Sequence, residues 1–182
     1  MEAVTERIFA CENLILDGNV FKQKSHVKLA TLISNANPLL SLSIARCQLE
    51  DHGLELIFEA AEGLRRLKKV DFSSNNIMEK GIREIANMIG NNRKTELEVI
   101  KLNNNHVTDS AVKKILKAIE KYENHIQELH FSENELTDEI PFFITNWLKN
   151  LRSKDVPHSM NMVTCDISLN KCMPKSIKEV EN

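Results

Sequence analysis

A chain of 182 residues, 42% of them apolar, is long enough for one domain with a continuous core. Its 24 Lys and Arg against 26 Asp and Glu leave a net charge of −2, which excludes the broad electrostatic pull of a nucleic-acid or acidic-membrane binder. The longest apolar runs, such as Ile140 to Ile144, fall far short of the roughly 20 residues of a membrane span, and the start MEAVTERIFACENLIL, broken by Glu2, Glu6, Arg7 and Glu12, lacks the pattern of a secretory leader.

In chain order the sequence is a repeat. Four copies of an eleven-residue pattern follow one another: LLSLSIARCQL from Leu39, LKKVDFSSNNI from Leu67, LEVIKLNNNHV from Leu97 and IQELHFSENEL from Ile126. Each carries apolar residues at its first, fourth, sixth and eleventh places and Asn or Cys at its ninth. Weaker copies flank them, one from Cys11 (Leu14, Leu16, Asn19, Phe21) and one from Met162 (Cys165, Ile167, Asn170, Cys172). The six starts are 28, 28, 30, 29 and 36 residues apart. Apolar residues two apart mark a half-buried strand, so strands are expected near 14–16, 42–44, 70–72, 100–102, 129–131 and 165–167.

The second half of each unit changes period. Eighteen places from each start stand Leu29, Ile57, Ile85, Ile115 and Ile144, and four residues further Ile33, Ala61, Ile89, Ile119 and Leu148, together one face of a helix. Fourteen places on, Ser25, Gly53, Gly81, Ala111 and Ile140 are mostly small, as a helix folded back tightly over a strand requires. Asp51, Asp109 and Asp138 stand where a carboxylate can accept the orphan amides of a helix start. Each unit is therefore a short strand, a turn and a capped helix, whose flanks stay wet until another copy stacks alongside. The ninth-place Asn can both donate and accept where the chain leaves the strand, satisfying inward backbone groups that have no ladder partner. The Cys47 thiol manages only a fraction of that. On this ground Asn105→Ala is expected to cost about 1–3 kcal/mol, and the outward Asn103→Ala much less.

At these residues the chain resembles the ribonuclease-inhibitor type of leucine-rich repeat, from residue 11 to about residue 180. The resemblance implies an α/β solenoid, a right-handed arc with parallel strands on the concave face and helices on the convex face. The fifth unit departs from it by a stretch around RSKDVPHS (152–159), read as a surface loop, and the last helix has only Ile177 and Val180. Residues 1–10 are read as an N-terminal cap and the whole chain as one domain.

Cys11, Cys47, Cys165 and Cys172 occupy core places without a CxxC spacing, so they read as reduced apolar thiols and not as zinc ligands or disulfides. The five glycines form neither GxGxxG nor GxxxxGK, and the six histidines include no HExxH pair. No catalytic site, cofactor or metal is expected. Free thiols, and 19 asparagines without an Asn-x-Ser/Thr acceptor, point to the cytoplasm.

Odd strand places point away from the core, so Ile15, Ser43, Asp71, Lys101, His130 and Asp166 at the fifth places should form a row across the concave face. The partner-binding candidates on this side are Arg46, Lys69, Asp71, Lys101, Asn103, His130 and Glu133, with basic residues gathered in units two to four and acids in unit five. Trp147 and Tyr122 fall on the helical side. The expected function is a non-enzymatic module that binds a protein partner through the concave face, as a monomer or an edge-mediated dimer, with no nucleic acid and no membrane. An alternative, from a resemblance to leucine-rich-repeat effectors of intracellular bacteria, is an effector acting in a host cytosol. A third reading makes the chain a hydrolase using His130 and Ser132, against which stands an open arc with no water-excluding pocket or oxyanion site.

Overall fold

The computed structural model describes residues 11–36, 38–61, 64, 66–91, 97–122, 125–153, 162 and 164–171. Among them strands and helices alternate: β1 (Asn13–Ile15), α1 (Gln23–Ser34), β2 (Ser41–Ser43), α2 (Glu50–Ala61), β3 (Lys69–Asp71), α3 (Glu79–Asn91), β4 (Val99–Lys101), α4 (Asp109–Tyr122), β5 (Glu128–His130), α5 (Glu139–Ser153) and β6 (Thr164–Asp166). The strands form one parallel sheet in sequence order from β1 to β6. The cap expected at 1–10, Cys172, and the last helix with Ile177 and Val180 lie outside the described residues. Of the loop expected at 152–159, residues 152 and 153 belong to α5, which runs to Ser153, and the remainder lies outside the described residues.

Each strand lies one residue earlier than its apolar pattern suggests. The second-place carbonyl already accepts from the next repeat, as in Ser41 N to Glu12 O at 3.0 Å and Glu128 N to Glu98 O at 3.0 Å. Pairing also continues past the strand's end: the Ile44 amide donates to Asp71 O at 2.9 Å and the Arg46 amide to Ser73 O at 2.9 Å. The ladder thus spans more of each repeat than the apolar places alone outline.

Register follows the repeat place by place. Leu14, Leu42, Val70, Ile100, Leu129 and Cys165 are successive partners at the fourth place. The central four are at most 2% exposed, whereas Leu14 and Cys165, at the two ends, are only half-buried. Under them lie Leu29, Ile57, Ile85, Ile115 and Ile144, all buried, and each helix lies against the next. A core of this kind exists only by stacking.

Small residues at the fourteenth place have a steric cause. A Cβ on Gly81 would sit 2.7 Å from Asp51 Oδ1 and 2.8 Å from Ile77 Cγ2, and one on Gly53 would meet the His26 ring at 3.1 Å. In α5 the helical face turns by one residue: Trp147 is buried and Leu148 only half so, with Leu151 continuing the buried stripe. The indole takes the inner place because it covers more apolar surface than leucine.

Asp51 and Asp109 do not cap their own helices as expected. Asp51 Oδ1 accepts the Met78 amide of the following repeat at 2.7 Å, and Asp109 Oδ1 accepts the Thr137 amide at 2.9 Å. Stacking places the next repeat's turn over the start of these two helices, and the carboxylate satisfies that turn.

The ninth places form a second ladder. Asn75 Oδ1 accepts from the Cys47 and Leu49 amides at 2.9 and 3.3 Å, and its Nδ2 donates to Ile44 O, Phe72 O and Ser73 O at 2.7, 3.0 and 3.2 Å. Asn105, Asn134 and Asn170 repeat the arrangement, each accepting from the ninth- and eleventh-place amides of the repeat before. Cys47 breaks it. Its thiol donates to Leu16 O and Ala45 O at 3.2 and 3.3 Å, and the Phe21 amide turns to the Cys47 carbonyl instead, at 3.2 Å.

Between strand and ninth-place Asn the chain turns through the left-handed region. The eighth residue has φ of +75° at Gly18 and of +52° to +59° at Arg46, Ser74, Asn104, Glu133 and Leu169. A side chain there costs about 1–2 kcal/mol, partly offset by the greater freedom of glycine in the unfolded chain. Arg46→Gly, Glu133→Gly and Leu169→Gly should therefore each raise stability by about 0.5–1 kcal/mol, read as a higher urea midpoint with unchanged slope.

Candidate protein-interaction face

The inward fourth and sixth places bury against the helices, so the third, fifth, seventh and eighth places line the other side of the sheet. The expected fifth-place row is one ladder of partners, Ile15, Ser43, Asp71, Lys101, His130 and Asp166. Adjacent backbones are about 4.8 Å apart, which brings Asp71, Lys101, His130 and Asp166 side by side.

Their side chains are not equivalent. His130 is tied on both sides: Nε2 lies 3.1 Å from Glu128 Oε2 and Nδ1 3.8 Å from Asp166 Oδ2. The Ser168 amide, 3.0 Å from Asp166 Oδ1, holds the Asp166 carboxyl below its ordinary range, with the nearby imidazole adding to the effect. Asp71 is similarly turned back, accepting the Ser73 amide at 3.0 Å. Lys69 and Lys101 have no ion pair among the described residues. Arg46 and Glu133 stand exposed at the eighth places.

Asn103, expected to face outward freely, holds its neighbour instead: its Oδ1 accepts the Ser132 amide at 2.9 Å. Towards the β1 edge Asp17 acts in the same way, accepting from Ser43 Oγ at 2.6 Å and the Ala45 amide at 2.9 Å. The signal for Asp17 was present in the repeat, since both residues occupy the seventh place. Cross-repeat pairs, Lys68 with Glu98 at 2.7 Å and His106 with Glu135 at 2.7 Å, are not legible in the sequence, because each joins residues about 30 apart whose neighbourhood depends on the register.

The Ser132 and His130 pair does not assemble as a hydrolytic couple. Among the described residues no hydrogen bond joins Ser132 Oγ to the imidazole, whose two nitrogens both face carboxylates. The thiols of Cys11, Cys47 and Cys165 are free, and burial pushes Cys165 up to about 11. Among the described residues no cluster of three or more His, Cys, Asp or Glu is disposed to hold a metal, and no helix is long and apolar enough to cross a membrane. Trp147 is buried with the helices.

Comparison with known proteins agrees with this geometry. Residues 122–140 match the family profile described as Leucine Rich repeat. Centrosomal protein of 78 kDa from Mus musculus is 30% identical over 77 residues, 42% of this chain, and the match spans only 10% of that protein. The fold is similar to that of leiomodin-1 actin-binding site 2, with TM-score 0.64 and 16% identity over 84% of this chain and 90% of that one. It is also similar to an internalin from Listeria monocytogenes, with TM-score 0.52 and 13% identity over 97% of this chain and 48% of that one.

Proposed function

We propose that this chain, a leucine-rich-repeat protein by its repeat architecture and by the profile match, is a non-enzymatic module that binds another protein through its outward strand face. One observation carries the reading: Lys69 and Lys101 stand unpaired among the described residues on a sheet whose acids Asp71, Glu128 and Asp166 are already engaged by backbone or imidazole. Charges left without internal partners on a pre-ordered surface steer and select a partner at little ordering cost. The leiomodin-1 neighbour is named for an actin-binding site; at 16% identity its likeness is one of fold, and it supports the reading by analogy of architecture alone. The effector reading, drawn from a resemblance to leucine-rich-repeat effectors, gains from the internalin a likeness of fold alone, at 13% identity.

The test is partner capture from cytosolic lysate with charge-altered variants. Lys101→Glu should weaken capture severalfold, whereas Lys117→Glu and Lys149→Glu on the exposed helical side should not. Lys113 is unsuited as a control, because it pairs with Glu139 at 3.4 Å and lies over the Phe143 ring. For His130 the substitution is Gln, since Glu would gather three carboxylates with Glu128 and Asp166 and disturb the fold itself. Loss of capture on the helical changes alone would place the binding surface on the other side.

A further inference from the structure

The eighth residues form a row along the edge of the sheet, reading Gly18, Arg46, Ser74, Asn104, Glu133 and Leu169 from β1 to β6, all in the left-handed region. That conformation favours glycine, yet glycine holds only the first place. In the middle of the row the strain has a local offset: Asn104 Nδ2 donates to Ser74 Oγ at 3.1 Å, and asparagine enters this region more readily than other residues. Arg46 and Glu133 have none. Both are exposed, and among the described residues neither side chain has an ion pair or hydrogen bond.

Two opposite charges are thus held at a conformational cost, without internal partners, on either side of a neutral pair. Three strand spacings of about 4.8 Å put them roughly 14 Å apart, a span that an extended chain rising about 3.3 Å per residue covers in about four residues. Lys69 and Lys101 add cations on β3 and β4, beside an Asp71 carboxylate turned back to the Ser73 amide, and Leu169, 77% exposed, adds an apolar place one repeat beyond Glu133. We infer that this row receives an extended segment of a partner protein that sets an acidic side chain on Arg46 and, about four residues along, a basic one on Glu133. The inference rests on the strand side being the recognition surface and adds the charge order of what binds there.

The experiment is fluorescence anisotropy at low ionic strength, where exposed charges are least screened. Three labelled synthetic peptides of equal length serve as probes: one acidic at one end and basic at the other, one wholly acidic and one wholly basic. The bipolar peptide should bind tightest to the unaltered protein and weaken roughly three- to tenfold with either Arg46→Glu or Glu133→Lys. The acidic peptide should weaken with Arg46→Glu and strengthen with Glu133→Lys. Arg46→Gly and Glu133→Gly should weaken the bipolar peptide while raising the denaturation midpoint, a pairing that a purely structural role does not produce. Absence of binding, equal binding of all three peptides, or indifference to the reversals overturns the proposal. If Lys101→Glu alters peptide binding while the Arg46 and Glu133 variants do not, the strand face stands and only this row fails. If none of them alters it, both fail.

Discussion

Asn105→Ala should destabilise the protein by about 3–4 kcal/mol, at the top of or beyond the range that its place in the repeat alone suggests. The substitution strands the Asn75 and Ile77 amides, both 3.0 Å from Asn105 Oδ1, and removes a donor from Phe72 O, Leu102 O and Asn103 O. These groups lie where water does not reach: Asn75 is fully buried and Asn105 is 6% exposed. Each buried backbone group left without a partner costs about 1–3 kcal/mol, so two amides already exceed the value for an ordinary side-chain bond. Asn103→Ala releases the single Ser132 amide at a half-buried site and should cost about 1 kcal/mol. We propose that the six repeats unfold as one unit, so both losses should appear in urea melts as shifts of a single transition. Equal losses from the two substitutions would contradict the ladder.

Phe72→Ala should be comparably severe, at about 3–5 kcal/mol. The ring is fully buried at a sixth place and meets the Phe58 ring of α2 edge-on, with centroids 5.4 Å apart. Truncation removes its apolar transfer energy and opens a cavity between strand and helices that relaxes incompletely. Phe72→Leu should cost far less, about 1 kcal/mol, because Ile44 and Leu102 fill the same place in the repeats on either side. A large loss from the leucine variant would mean that the aromatic contact, and not occupied volume, sets the stability at this place.

The inward half of the fold is legible in the sequence because burial and backbone satisfaction act on every repeat alike. Leu42, Val70, Ile100 and Leu129 recur at the same place, as do Asn75, Asn105 and Asn134, and the register follows them residue for residue. Contacts made between repeats are harder to read. The carboxylates of Asp51 and Asp109 have the composition of helix caps, and only the stacked neighbour, supplying Met78 and Thr137, shows what they hold. Asn103 looks outward by parity yet reaches sideways to Ser132. The left-handed eighth place is signalled by Gly18 and more weakly by Asn104, while Arg46, Glu133 and Leu169 occupy it against local preference. The candidate site is legible as a row of positions, but not as a set of free and engaged charges. Whether Lys101 or His130 is available depends on which acid lies within 4 Å, and that is a property of side-chain direction.

Asparagine amides, bonding turn segments that belong to no strand or helix, keep the repeats in register and so hold the fifth-place row outward. Site-resolved hydrogen exchange tests it most directly. The amides of Cys47, Leu49, Asn75, Ile77, Asn105, Val107, Asn134 and Leu136, each bonded to an asparagine side chain of the following repeat, should exchange as slowly as the strand amide of Val70. In Asn105→Ala, protection at Asn75 and Ile77 should fall first. Rapid exchange of these turn amides in the unaltered protein, with the strands still protected, would contradict the account.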